Sequence, residues 1–156
     1  MQPVVIEGDL LDQEVDAIVN PWNRNLFPWW LLLPQGVSGA IKRRAGLAPF
    51  RELRRYGVLP IGGAVVTGAG FLPHRAIIHV AGIGFLWRAS PRSIEESVRN
   101  CLRLATREGF RSLALPLIGA GTGGVPPDES LRLTREVLAD DHFDGEVRIV
   151  RYRVTR

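Results

Sequence analysis

Four glycines fall within six residues, Gly119-Ala120-Gly121-Thr122-Gly123-Gly124, between the apolar run Leu115-Pro116-Leu117-Ile118 and a segment that opens on Pro126. Lacking a Cβ, glycine lets backbone N–H groups come close to an anion. A helix that starts after such a loop adds orphan N–H groups and the positive end of its dipole. The chemistry on offer is phosphate binding by the main chain. The plainer alternative is a flexible turn, but a single turn does not need four glycines. Gly119, Gly121 and Gly124 also match the spacing G-x-G-x-x-G of a dinucleotide fingerprint, with Asp140 or Asp141 downstream. That match lies too late in the chain. A dinucleotide fold carries its fingerprint at the first strand, with further βαβ units after it, and here a single strand pattern follows.

Three other segments offer polar groups. In Gly8-Asp9-Leu10 the carboxylate can accept from an exocyclic amine such as that of adenine; the alternative is a turn. In Asn20-Pro21-Trp22-Asn23 the amides both donate and accept, which suits sugar hydroxyls; the alternative is an Asx turn. Pro34-Gln35-Gly36-Val37-Ser38-Gly39-Ala40-Ile41 is a second glycine-containing loop that feeds a helical pattern. Two such loops could grip a diphosphate from both sides.

The elements that position these groups are short. Strands are predicted at 4–7, 17–19, 64–67, 76–81, 112–115 and 147–152, and helices at 38–45, 50–56, 91–108 and 126–139. Ser38 is a candidate N-cap and Gly46 a candidate C-cap of the first helix. Ser90 and Pro91 suit the start of the longest one, where Ile94, Val98, Cys101, Leu102 and Ala105 recur at helical spacing before Gly109. Leu131, Thr134 and Leu138 are expected to face inward from the last helix. Strands alternating with helices argue for a layered α/β sheet, and the hairpin-like pair within 64–81 makes it mixed. With no repeat, linker or low-complexity tail, residues 1–156 read as one domain, long enough to bury roughly two-thirds of its unfolded surface.

The charge is basic: 20 Lys and Arg against 16 Asp and Glu, a net +4, with Lys42 the only lysine. Arginine binds phosphate bidentately, although most arginines simply sit on solvated faces. A lone Cys101 gives no disulfide framework and no cysteine zinc site, and the dispersed His74, His79 and His142 suggest no metal cluster. His79, on a strand pattern, is expected to be a buried structural histidine. No leader pattern precedes the first strand, and the apolar run 27–34 is far short of the roughly 20 residues that span a membrane. A cytoplasmic protein with no membrane association is expected.

Taken in order, these segments resemble the macro domain family (the ADP-ribose-binding, Appr-1''-p processing type), from Val4 to about Ala139. Gly8-Asp9-Leu10 is similar to the family's Gly-Asp-Ile/Leu. Val19-Asn20-Pro21-Trp22-Asn23 is similar to its Val-Asn-Ala-Ala-Asn. Gly36-Val37-Ser38-Gly39-Ala40-Ile41 is similar to its first ligand loop, Gly-Val-Asp-Gly-x-Ile. Ile77-Ile78-His79-Val80 matches a family strand, and the segment from Leu115 to Pro126 its second loop.

The resemblance implies a three-layer α/β/α sandwich with a mixed sheet of about six strands and a cleft for ADP-ribose, free or attached to a macromolecule. It implies that Asp9 reads the adenine amine, that Leu10 packs on the ring and that Asn23 bonds the distal ribose. Gly36, Val37, Ser38 and Gly39 would hold the diphosphate together with Gly119, Ala120, Gly121, Thr122, Gly123 and Gly124. Asn23 is the candidate for a catalytic role; no metal or cofactor is implied, and a monomer is expected.

Two departures bear on hydrolysis. Ser38 stands where one hydrolytic branch has an aspartate, and a neutral serine is not the same water-activating base. Gly123 stands where many members place an aromatic residue, and is expected to leave the ribose end open. Another branch uses a nucleophilic lysine, but Lys42 is not at that branch's position and is expected to be a solvated helix lysine. The aromatic segment 27–33, with Trp29 and Trp30, is either a hydrophobic plug or an aromatic wall or partner patch. Three functions follow: an ADP-ribosylhydrolase, a non-catalytic ADP-ribose reader, or a nucleic-acid-facing module drawing on the arginines and the tryptophan pair.

Overall fold

A computed structural model describes residues 1–26, 36–84 and 86–152. The aromatic segment 27–33 and the residues Pro34 and Gln35 lie outside the described residues. Six strands form one sheet: β1 (Val4–Gly8), β2 (Ala17–Pro21), β3 (Ala64–Thr67), β4 (Ala76–Val80), β5 (Ser112–Pro116) and β6 (Glu146–Tyr152). Their order is β1-β6-β5-β2-β4-β3. Only the β3–β4 pairing is antiparallel, so the sheet is mixed, as the hairpin-like pattern implied.

Side-chain alternation along the strands divides the interior in two. Ala17, Val19, Ile78, Leu113 and Leu115 face α3 (Pro91–Glu108) and α4 (Pro127–Asp140). Ile18, Ile77, Ala114 and Val150 face α1 (Gly36–Ala45) and α2 (Ala48–Arg54). The result is an α/β/α sandwich, because strands buried on both faces need helices on both. Fully buried side chains such as Ile18, Ile77 and Leu113 contribute about 1.5–3 kcal/mol each.

The helix signals were legible. Ser90 and Ser93 form a reciprocal capping box at the start of α3, and Gly109 ends it. In α4 Leu133, Thr134, Val137 and Leu138 are buried, and Leu131, half-buried, packs against the same core as expected. The apolar pair Leu133 and Val137 occupies the i, i+4 stripe that faces the sheet.

One glycine is demanded by close approach. A Cβ on Gly70, whose φ is +58°, would lie 2.1 Å from the Ala45 carbonyl at the end of α1. Gly70→Ala is expected to cost at least about 2 kcal/mol, combining left-handed strain with a backbone clash. Urea denaturation checks this, and wild-type stability in the variant would contradict it.

The pairing between β2 and β5 is short. Ala17 stands opposite Leu113 and Ile18 opposite Ala114, and the register ends there, whereas β2 pairs with β4 along all five of its residues. The carboxyl ends of β2 and β5 therefore part company. The chain leaves β2 toward α1 on one face and leaves β5 toward α4 on the other. Such a reversal is where open α/β sheets form a crevice.

Candidate ligand-binding site

A two-lobed cleft opens at this divergence. One lobe, of about 390 Å³, is lined by Asp9, Leu10, Ala40, Arg43 and Arg44 among others. The other, of about 330 Å³, is lined by Pro21, Ser38, Ile83 and the run from Gly119 to Gly123. Gly36, Val37, Pro116, Val150 and Tyr152 line both, so the lobes are continuous. Two wider clefts, of about 550 and 590 Å³, lie elsewhere, and neither is lined by a glycine loop.

In the first lobe Asp9 closes a short 3-10 turn, its Oδ1 accepting from the Leu11 amide at 2.8 Å. Arg44 approaches its Oδ2 at 3.5 Å and binds Asp12 at 2.8 Å. Leu10 is buried directly behind it.

In the second lobe the glycine loop is tied down at its edges. Ala120 donates to the Leu117 carbonyl, Val125 to that of Gly119, and Ala89 to that of Gly123. Ser130 on α4 donates to the Ile118 carbonyl at 2.7 Å. The amides of Gly121, Thr122 and Gly123 are left with no hydrogen bond among the described residues. Three successive unpaired N–H groups in a concave loop make an anion nest. Opposite them stands the first turn of α1, whose N–H groups have no intrahelical partner.

Three expectations are corrected. The start of α4 adds little to the anion site: Pro126 and Pro127 have no N–H, and Asp128 and Glu129 fill its first turn. The donors are those of the loop itself. Ser38 is not an N-cap but lies inside α1, and its hydroxyl donates to Asn20 Oδ1 at 2.8 Å, with the Pro21 carbonyl at 3.3 Å. Gly123 does not open the site by lacking a ring. A Cβ there would lie 2.6 Å from the Gly119 carbonyl and 2.9 Å from Ala89 Cβ, so the loop needs glycine in order to fold on itself.

Asn23, Gly39 and Gly124 line neither lobe. Gly39 is buried within α1. Asn23 is 3% exposed, and neither its Oδ1 nor its Nδ2 has a partner among the described residues. The Asx turn that was its alternative role is therefore absent. Arg24 and Asn25 follow with φ of 64° and 59°, held by Arg24 Nε to the Leu59 carbonyl (2.6 Å) and by Asn25 to Leu53 and Gly57. Left-handed non-glycine residues held this firmly are stored strain of the kind that gathers at functional sites.

His79 is fully buried, as expected, and burial pushes its imidazole down to about 3. Lys42 is not simply solvated: its Nζ lies 5.4 Å from the Trp22 ring centre and 5.1 Å from that of Phe50, and partial burial lowers its pKa. Pro21, Ile83, Pro116, Leu117, Val150 and Tyr152 were missed by sequence reasoning. No local signal marks them, because they meet only through the strand order.

A family model described as Macro domain matches residues 19–134. The chain is 46% identical over 151 residues to a macro domain-containing protein of Streptomyces griseus, covering 90% of this chain and 82% of the relative. It is 39% identical over 141 residues to an O-acetyl-ADP-ribose deacetylase of Klebsiella pneumoniae, covering 85% and 77%. The solved Oceanobacillus iheyensis macrodomain with ADP superposes with a TM-score of 0.81 at 26% identity, covering 96% of this chain and 83% of that one. Sheet order, paired glycine loops and these matches agree: the chain belongs to the macro domain family.

Proposed function

We propose that the cleft binds ADP-ribose, free or carried on a macromolecule. The carrying observation is the run of three unpaired amides at Gly121, Thr122 and Gly123, in a loop that lines the same lobe as the first turn of α1. A diphosphate between them has donors on both sides. The Asp9 lobe then takes the adenosine, with the free valence of its carboxylate for the amine. The Ser38 lobe takes the distal ribose. The solved neighbour with ADP and the relative named for O-acetyl-ADP-ribose both support this reading.

Among the described residues, the lining of the Ser38 lobe holds no carboxylate, imidazole, thiol or amine to take a proton from water. This favours a reader over hydrolysis by a protein base, although the Klebsiella relative carries an enzyme's name. Among the described residues Arg43 and Arg44 line the Asp9 lobe, while other arginines are spent on neighbouring carboxylates, as in the pairs Arg92 with Glu96, Arg132 with Glu136 and Arg151 with Asp128.

Calorimetry with ADP-ribose is the direct test. Saturable binding is expected, and no heat at millimolar ligand would refute the proposal. An assay for acetate release from O-acetyl-ADP-ribose separates reader from enzyme, with slow or absent turnover expected. Asn23→Ala is expected to weaken ADP-ribose about tenfold yet raise the melting temperature of the empty protein. The first follows because the buried amide, which lines neither lobe in the empty protein, must turn to the ribose to gain partners; the second follows from removing two buried, unsatisfied polar atoms. A lower melting temperature with unchanged affinity would contradict both.

A further inference from the structure

Ser38 begins a row of hydrogen bonds that runs away from the cleft across three strands. Its Oγ lies 2.8 Å from Asn20 Oδ1 on β2. Asn20 Nδ2 lies 3.0 Å from His79 Nδ1 on β4, and His79 Nε2 lies 2.8 Å from Thr67 Oγ1 on β3. Thr67 Oγ1 lies 2.9 Å from the carbonyl of Gly68. Asn20, His79 and Thr67 are all buried, on the face of the sheet covered by α1 and α2.

The last oxygen sets every proton in the row. A carbonyl only accepts, so the Thr67 hydroxyl hydrogen points at Gly68. Having one hydrogen, Thr67 must then accept from His79, and Nε2 carries the ring proton. Nδ1 is bare and accepts from the Asn20 amide. The Asn20 oxygen is thereby turned toward Ser38, and Ser38 donates to it. The Pro21 carbonyl, 3.3 Å from Ser38 Oγ, draws the same hydrogen in the same direction. The opposite polarity would turn a Thr67 lone pair onto the Gly68 carbonyl.

We infer that Asn20, His79 and Thr67 are positioning residues that hold Ser38 as a hydrogen-bond acceptor at the cleft. Its hydrogen is committed inward, so only lone pairs face the lobe. Such an oxygen takes a donor: a sugar hydroxyl, or a water lying on one. It repels a phosphate oxygen, which is also an acceptor. Labour within one short stretch is thus divided. The amides at the start of α1 serve the diphosphate, and the Ser38 side chain serves the neutral sugar beyond it. This rests on the ADP-ribose reading above and names the ligand group that Ser38 selects.

The test compares ADP with ADP-ribose by calorimetry. In Ser38→Ala the preference for ADP-ribose over ADP is expected to fall about fivefold to tenfold, the worth of one hydrogen bond, with ADP itself little changed. His79→Phe keeps the ring volume but frees Asn20, and is expected to lower the preference similarly. Ser38→Ala combined with His79→Phe is expected to lose no more than Ser38→Ala alone. His79→Gln can accept from Asn20 through its amide oxygen and donate to Thr67 through its amide nitrogen, so it is expected to keep the preference. Nitrogen NMR of the wild-type protein, independent of any variant, is expected to show a neutral His79 protonated at Nε2. Protonation at Nδ1, an unchanged preference in Ser38→Ala, or additive losses in the double variant would overturn the inference. Wild-type protein binding neither nucleotide would sink the ADP-ribose reading and this inference together. Binding of both with no effect of Ser38→Ala would sink this inference alone.

Discussion

Gly121→Glu is expected to abolish ADP-ribose binding, a loss beyond about 100-fold, with the melting temperature nearly unchanged. Gly121 lines the Ser38 lobe, and a Cβ built on it meets no atom within 4 Å. The empty protein therefore accommodates a side chain there without strain. The added carboxylate would lie among the unpaired amides of Gly121, Thr122 and Gly123 and occupy them itself. Like charges about 4 Å apart near a protein surface repel by about 4 kcal/mol, and a 100-fold loss needs only about 2.7 kcal/mol. Gly121→Ala is the control, since it adds bulk without charge, and is expected to cost far less. Calorimetry on both variants decides it. Affinity within tenfold of wild type in Gly121→Glu would remove the glycine loop from the diphosphate site.

The second large effect is on stability in acid. In an unfolded chain a histidine titrates near about 6.5, whereas buried His79 titrates at about 3. The folded pKa is depressed, so the unfolded state binds a proton that the folded state refuses. Stability is full above about pH 6.5 and falls as pH drops toward 3, by about 1.4 kcal/mol for each unit. From pH 6.5 to pH 4 the expected loss from this one ring is about 3 kcal/mol. His79→Gln removes the titrating group and should remove that part of the slope, leaving the part due to surface carboxylates. Urea denaturation at several pH values measures both. Equal slopes in wild type and His79→Gln would show that the ring is not held neutral.

The sequence disclosed the pieces of the site better than their assembly. Glycine loops, caps and alternating strands are local signals, and they placed Gly119 to Gly124 at a strand exit correctly; Gly36 to Gly39, read as a loop feeding a helix, form the first turn of α1 itself. What a single sequence does not carry is strand order. Tyr152 and Val150 enter the cleft only because β6 lies beside β5, and Pro21 and Pro116 face one lobe only because β2 and β5 diverge. Gly123 shows a different limit. Its residue type resembles a missing aromatic, but the atoms that forbid a side chain there belong to Gly119 and Ala89, and the contact with Ala89 is made by distant chain. Ser38 looked like a cap by composition, and its partner Asn20 comes within reach only when α1 packs over β2.

The brief β2–β5 register has a mechanical consequence. The sheet is joined firmly at its amino end and parted at its carboxyl end, like a hinge with its leaves ajar. Strands β2, β4 and β3 form one leaf and β5, β6 and β1 the other, and each leaf presents one of the two glycine loops. A ligand held by both loops is a bolt across the leaves. The free energy of its binding is then also the added resistance of the molecule to opening along that line. Amide exchange at Val19, Asn20, Leu115 and Leu117 should slow on saturation more than exchange anywhere else in the sheet, and the ligand would be felt by the protein as stiffness.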